Sequence, residues 1–329
     1  MSATEAANRK RAMLRTAMGP DIAAALADSE VIEVMVNPDG ALRLDRLGPG
    51  RSDTGIRLEP AQAERIIRLV ASHARTEVHG DAPIVSAELP PLADGLAGER
   101  FEGLLPPVST GPCFAIRKPA NRVYGLSDYV ADGIISADLA RVLSSSVRDR
   151  RNILVAGGTS SGKTTLANAL LAELGARDER VILIEDTREL QCDASDTVAL
   201  RTRRGVVTMA DLVRSTLRLR PDRIIVGEVR GPEALDMLKA WNTGHPGGIA
   251  TVHANSARAS LYRLEQLVQE AVITVPRRLI AEAIDIVVFI AGRGTDRRIA
   301  AVEGVEGLDA VGDYALRALH SNNPHGSGE

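Results

Sequence analysis

Nine residues, GGTSSGKTT from Gly157 to Thr165, contain the pattern G-x-x-x-x-G-K-[ST]. They follow the apolar run ILVA and precede LANALLAEL, so strand, glycine loop and helix stand in the order a phosphate cradle requires. Glycine frees the loop to turn its N–H groups inward, and the helix start adds the positive end of its dipole. Gly157, Gly158, Thr159, Ser160, Ser161 and Gly162 would form the cradle. Lys163 would reach the β- and γ-phosphates, Thr164 would ligate magnesium, and Thr165 would complete the loop. The bland alternative is a glycine-rich turn with a surface lysine, and the full pattern in full context argues against it.

Two carboxylates extend this chemistry. VILIEDTREL places Glu185 and Asp186 at a strand end, with Glu189 three residues beyond Asp186. RIIVGEVRG ends its apolar run in Gly227-Glu228. A nucleotide hydrolase needs an acidic group at a neighbouring strand end, to hold magnesium or to orient water. The usual second motif of phosphate-loop enzymes ends in Asp. Here Asp222 precedes the strand, so Glu228 is the candidate for that corner, and whether it ligates the metal directly is open.

The stretch TGHPGGIATVHA, residues 243–254, adds two histidines and three glycines. In a parallel α/β sheet the strand ends gather where the ligand sits. His253, at a strand end, could contact the γ-phosphate or relay its loss. His245 would begin the loop, and Gly244, Gly247 and Gly248 would let the backbone turn near the phosphates. No cysteine or further histidine lies near in sequence, which argues against metal binding by this pair.

These residues need elements to position them. The chain has 329 residues, enough for two domains, and its 44% hydrophobic and 25% charged content can build real cores. In the first part, Glu5 to Met18 reads as a helix broken by Gly19-Pro20. VIEVMVN, PDG and ALRLDRL read as a hairpin. Pro60 to Ala74 reads as a helix, and ERFEGLLPPV and CFAIRKP as two further strands. KPANRVYGLSD reads as a linker, which puts an α+β domain at residues 1–125. A helix over Ala137 to Val147 follows, with Ser136 as N-cap. Then ILVAG, VILIED, RIIVGEV, GIATVHA and IDIVVFIA alternate with helical segments, the rhythm of buried parallel strands covered on both faces. That domain spans 126–318, and the polar tail 319–329 reads as disordered.

Bulk properties exclude some functions. A net charge of −3 gives no global reason to expect binding to nucleic acid or anionic lipid. Two distant cysteines, Cys113 and Cys192, exclude a disulfide framework and point to a reducing, cytoplasmic setting. The N-terminus lacks the apolar core of a signal peptide, and LIAEAIDIVVFIAG is too short and too charged to span a bilayer. Membrane association is expected only at the periphery or through a partner.

GGTSSGKTT, VILIEDTREL, LRLRPDRIIVGEVRG and TGHPGGIATVHANS stand in the order found in the secretion ATPase superfamily, which serves type IV secretion, type II secretion and type IV pili. The resemblance covers residues from about 30 to 300 and is closest to the conjugal-transfer branch. It implies a RecA-like P-loop ATPase domain behind a smaller N-terminal α+β domain, a hexameric ring, ATP and Mg2+ as ligands, and nucleotide bound between the domains. It also implies inner-membrane channel components as partners on the cytoplasmic face. By the same resemblance Glu185 and Glu228 are the catalytic acids, one of them polarising water, and His253 belongs to a histidine box. Arginines of the N-terminal domain are expected to reach the γ-phosphate, which points to Arg100 and Arg117; a plain surface arginine is the alternative for each. The four-cysteine zinc insert common in the pilus and type II branches is missing here.

RTRRGVVTMADLVRSTLRLRPDR holds Arg201, Arg203, Arg204, Arg214, Arg218, Arg220 and Arg223. Subunit contact with nucleotide sensing is the preferred reading, over a solvated face or DNA contact, because 2% aromatic content supplies few stacking platforms. Three functions compete: an ATP-driven secretion motor, which leads; a RecA-like DNA translocase or helicase; and a nucleotide-gated assembly factor that hydrolyses little.

Overall fold

The computed structural model describes residues 3–91, 98–119, 123–175, 177–203 and 205–319. The chain divides into two compact units, Met1–Asn121 and Arg122–Glu329. Of the tail read as disordered, Leu319 is described and its N–H donates to the Val302 carbonyl at 2.9 Å, while residues 320–329, residues 120–122 of the linker stretch and Arg204 lie outside the described residues.

The first unit contains α1 (Ala3–Ala27), β1 (Val31–Val36), β2 (Ala41–Arg46), β3 (Gly50–Arg57), α2 (Pro60–Ala74), β4 (Ile84–Glu88), β5 (Arg100–Leu104) and β6 (Cys113–Arg117). The expected break at Gly19 is present, with φ at 83°, but the chain resumes helix and continues to Ala27. Pro20 then occupies the first turn of the second segment, where its missing N–H costs nothing. Leu14, Met18, Ile22 and Leu26 recur every fourth residue and are buried. With Ile66, Ile67 and Val70 of α2 they cover one face of an antiparallel sheet of order β3-β2-β1-β6-β5-β4. On that face Phe101 and Phe114 stack with centroids 5.4 Å apart.

The second unit begins with α3 (Leu126–Ala131) and α4 (Ala137–Arg148), the latter capped as expected by the Ser136 hydroxyl accepting from the Leu139 N–H at 3.3 Å. Then come β7 (Ile153–Gly157), α5 (Lys163–Ala172), β8 (Arg180–Glu185), β9 (Asp196–Arg201), α6 (Met209–Thr216), β10 (Arg223–Val226) and α7 (Glu233–Asn242). They are followed by β11 (Ile249–His253), α8 (Ala257–Gln269), α9 (Arg277–Ala283), β12 (Ile286–Ala291), β13 (Arg298–Leu308) and β14 (Tyr314–Ala318). The sheet order is β14-β13-β12-β7-β11-β10-β8-β9.

The five apolar runs of the sequence are the parallel strands β7, β8, β10, β11 and β12. They read as unbroken apolar runs because both faces are covered. Leu154, Ile182, Ile224 and Val252 pack with α7 and α8, while Val155, Leu183, Ile225 and Ile249 pack with α4 and α5. The sheet is not wholly parallel, however. The polar strand β9 extends one end in parallel, and β13 and β14 extend the other as antiparallel strands.

Candidate nucleotide site

The parallel register gathers the site. β7 runs directly into the glycine loop, and its last residue, Gly157, pairs with His253 of β11 on one side and Ile290 of β12 on the other. A Cβ on Gly157 would meet the Ile290 carbonyl at 2.5 Å, so this close approach requires glycine. Gly162 caps α5 with φ at 97°, a left-handed value that favours glycine. Ser160 also has positive φ, at 61°, and with Gly158 and Thr159 it forms the exposed crest of the loop. Ser161 is buried, and its hydroxyl donates to the Gly158 carbonyl at 2.9 Å. Lys163 Nζ donates to the same carbonyl at 2.9 Å. Thr164 and Thr165 follow in the first turn of α5, both half-buried. Beside the loop opens a cleft of about 270 Å³, lined by Thr159, Ser161, Asn255, Phe289 and Arg293 among others.

Beyond β11 lies β10, whose chain continues into Glu228. Thr251 of β11 donates its hydroxyl to the Gly227 carbonyl at 2.7 Å, and the Val229 N–H donates to the Thr251 carbonyl at 2.9 Å. These bonds fix Glu228 beside His253: Nε2 of the histidine is 2.8 Å from Glu228 Oε1. The contact is close but misaligned for a hydrogen bond, so Oε1 is buried without a bonding partner. Oε2 is held by Arg230, which also lies 3.9 Å from Asp186. Lys163 Nζ is 3.4 Å from either ring nitrogen of His253. Burial, and then the Lys163 charge, hold the His253 pKa below its ordinary value against the opposing pull of Glu228. The imidazole is therefore neutral near pH 7 and able to accept as well as donate.

Glu185 has a different setting. It is buried at the end of β8, with Oε1 accepting the N–H groups of Glu189 and Leu190 at 2.9 and 2.8 Å. Burial pushes its carboxyl up to about 7, with those two N–H bonds pulling the other way. Glu185 thus shapes the loop after β8, and it lies against Gly227, where a Cβ would stand 3.0 Å from its Cγ.

Magnesium in phosphate-loop sites is held by one or two protein oxygens, phosphates and water. Among the described residues no group of three or more His, Cys, Asp or Glu side chains is arranged to hold a metal by itself. The Thr164 hydroxyl and the unbonded Glu228 Oε1 fit the sparser pattern, directly or through water.

One candidate is corrected. His245, with Gly244, Gly247 and Gly248, stands at the edge of the sheet where strands begin, not where the glycine loop lies. Its Nδ1 is 2.9 Å from the Pro221 carbonyl, just ahead of β10. Gly247 and Gly248 donate their N–H groups to Asn152 Oδ1, just ahead of β7, at 2.8 and 2.9 Å. The five residues of β11 carry the chain from this edge to His253 at the other. These glycines serve packing: a Cβ on Gly248 would fall 2.1 Å from the Trp241 ring.

In the first unit, Arg100 and Arg117 are register partners across β5 and β6. They form the middle of a row Glu33, Arg117, Arg100, Glu88 on the sheet face away from Phe101 and Ile116. Neither arginine makes an ion pair with a described residue. Of the arginine-rich middle, Arg223 is 1% exposed, paired with Glu179 and donating to the Val147 and Gly247 carbonyls. Arg214 pairs with Asp236 at 2.9 Å. Both serve the fold of this chain, and Thr208 and Asp211 form a reciprocal cap at the start of α6. Arg230 also belongs to the site, and its one signal in the sequence is that VRG directly follows the Glu228 corner.

A phosphate loop, a glutamate corner and a histidine on three adjacent strands define a P-loop nucleotide-site architecture. The chain matches the family described as type II/IV secretion system protein over residues 100–295, and it belongs to that family. It is 47% identical over 296 residues to the conjugal transfer protein TrbB of Rhizobium radiobacter, covering 89% of this chain and 90% of that protein. It is 35% identical to the type IV secretion system protein PtlH of Bordetella pertussis, covering 87% and 93%. Among solved structures, the pilus retraction motor PilT with bound ADP shares the fold at a TM-score of 0.61 and 19% identity, covering 91% of this chain and 81% of that one. Among the described residues no helix is long and apolar enough to cross a membrane.

Proposed function

We propose that this chain is an ATP-hydrolysing motor of a conjugative or type IV secretion apparatus. It would act as a hexamer at the cytoplasmic face of the inner membrane and power pilus assembly or substrate transfer. Membership of the secretion family and the conjugal and type IV names of its relatives support the setting. The observation that carries the chemistry is the register of β7 with β11, which sets His253 beside the start of the phosphate loop and within 2.8 Å of Glu228.

In this reading the loop from Gly157 to Thr165 binds the phosphates, and Lys163 exchanges the Gly158 carbonyl for a phosphate oxygen. Magnesium, when bound, neutralises charge on the β- and γ-phosphate oxygens. Glu228 Oε1 orients the attacking water, and the neutral His253 ring senses whether the γ-phosphate is present. Glu185 keeps the neighbouring loop in shape, and Arg100 and Arg117 supply cations for the transferring phosphoryl group. His245 takes no part in phosphate binding within its own chain.

The test is ATP turnover per subunit over a range of protein concentrations, for wild type and Lys163→Ala. Turnover that rises with concentration and vanishes in the variant supports an assembled motor. Equal turnover in both proteins overturns the reading. A second reading, a nucleotide-gated assembly factor, is favoured by one observation: Arg230 occupies Glu228 Oε2. Tight ATP binding with no turnover above the Lys163→Ala level would select it.

A further inference from the structure

The turn joining β12 to β13 runs through GRGTDRR, a segment that matches no motif. Within it, Arg297 rests on the phosphate loop. A Cβ on Gly162 would lie 2.9 Å from Arg297 Nε and 3.0 Å from its Cζ. That Nε is buried and has no hydrogen-bond partner. No described carboxylate lies within ion-pair distance of Arg297. Several other arginines around this sheet are paired with acids of the chain: Arg230 with Glu228 and Asp186, Arg223 with Glu179, Arg214 with Asp236. Half-burying a guanidinium with no anion costs free energy that these pairings avoid.

The surroundings point the same way. The Tyr129 hydroxyl, on α3, is also buried without a partner, and it lies within electrostatic reach of Arg297. The start of β13 is tied to the chain after α3 by the Ile299 N–H donating to the Ile134 carbonyl at 3.0 Å. The turn itself, through Gly292 and Arg293, forms a wall of the cleft beside Thr159 and Ser161. A cation lacking a counter-charge, in contact with the last glycine of a phosphate loop, calls for an anion that arrives with the ligand.

We propose that Arg297 is a second phosphate-binding cation of the site, acting within its own chain on the diphosphate common to ADP and ATP. This rests on the reading of the site as a nucleotide site. The guanidinium donates to non-bridging phosphate oxygens while Lys163 supplies the other positive charge, so the diphosphate is held from two elements, α5 and the β12–β13 turn. The ligand also supplies the charge partner that Arg297 lacks in the chain alone.

The experiment is equilibrium binding of ADP, inorganic pyrophosphate and AMP to the full chain, for wild type, Arg297→Gln and Arg297→Lys, with ligand-free thermal denaturation of each. Arg297→Gln is expected to weaken ADP and pyrophosphate about tenfold or more and to leave AMP within about twofold. Arg297→Lys should recover part of the loss, and the ligand-free Tm should hold. Unchanged ADP and pyrophosphate affinity overturns the inference. So does a parallel loss for all three ligands together with a fall in Tm, which is the mark of a packing role. Should Arg297→Gln fail to fold, Arg297→Met keeps the stem on Gly162 and makes the same comparison. A wild type that binds neither ADP nor pyrophosphate would instead overturn the nucleotide reading itself.

Discussion

Arg100 and Arg117 face each other directly across neighbouring antiparallel strands, and neither is paired with a described acid. Like charges in register cost about 0.2–1 kcal/mol, and Glu33 and Glu88 at the ends of the row offset part of that. In the proposed function this pair would meet the charge of the transferring phosphoryl group. Arg100→Ala and Arg117→Ala are each expected to lower ATP turnover about tenfold or more while stability stays within about 0.5 kcal/mol. Steady-state turnover and denaturant titration check this together; undiminished turnover in the double variant would return both residues to the status of surface arginines.

Glu228 and Glu185 can be separated by experiment. Glu228 has an unbonded buried oxygen beside His253, whereas Glu185 Oε1 already accepts two backbone N–H groups. Glu228→Gln should retain ATP binding and reduce single-turnover hydrolysis by about a hundredfold or more, the usual contribution of a positioned acid–base group. A larger kinetic loss in Glu185→Gln than in Glu228→Gln would reverse the assignment.

Glu185 also writes a pH dependence into folding. Its carboxyl, ordinarily near 4.5, is pushed up to about 7 by burial. Between those values the folded chain keeps a proton that the unfolded chain releases. Stability therefore falls as pH rises through 4.5 to 7 and is level on either side, by up to about 3 kcal/mol at 1.4 kcal/mol per unit. His253 contributes with the opposite sign, because its pKa is held below 6.5 and stability rises as pH approaches that value. Glu185→Gln, neutral throughout and able to accept the same N–H bonds, should remove the falling component. Denaturant unfolding at pH 5, 6, 7 and 8 measures it, and identical slopes in variant and wild type would refute the burial argument.

The glycines before β11 yield a prediction about packing. Gly248→Ala would drive a methyl group into the Trp241 ring, and overpacking of this kind costs about 1–3 kcal/mol or more. Asn152→Ala would strand the Gly247 and Gly248 N–H groups, at about 1–3 kcal/mol each. Both variants should melt earlier yet bind ADP as wild type does once folded. Selective loss of ADP affinity at full stability would restore these glycines to the phosphate site.

What was legible in the sequence follows from what each element buries. Five of the six parallel strands carry apolar side chains on both faces, so their runs stand out against the helices. β9, with no fully buried residue, and β3, exposed along most of its length, carry no such signal. The loop from Gly157 to Thr165 was readable because phosphate binding dictates residue types at fixed spacing. His245 was misplaced because spacing along one chain cannot say which end of a strand faces the ligand: His245 and His253 differ by one strand length, and that length is the width of the sheet. Arg230 and Arg297 escaped notice because their roles come from neighbours on other strands, Glu228 and Asp186 for one and Gly162 for the other.

The anchoring of β11 at Asn152 has a consequence for amide hydrogen exchange. The Gly247 and Gly248 amides are bonded to a buried side chain at one edge of the sheet, so they should exchange only when the whole unit opens. Ala254 and Asn255, just past the other end of β11, border the open cleft. One strand thus carries an internal clock for global unfolding at its start and a reporter of ligand occupancy at its end, and a single peptide spanning both would read the two in the same spectrum.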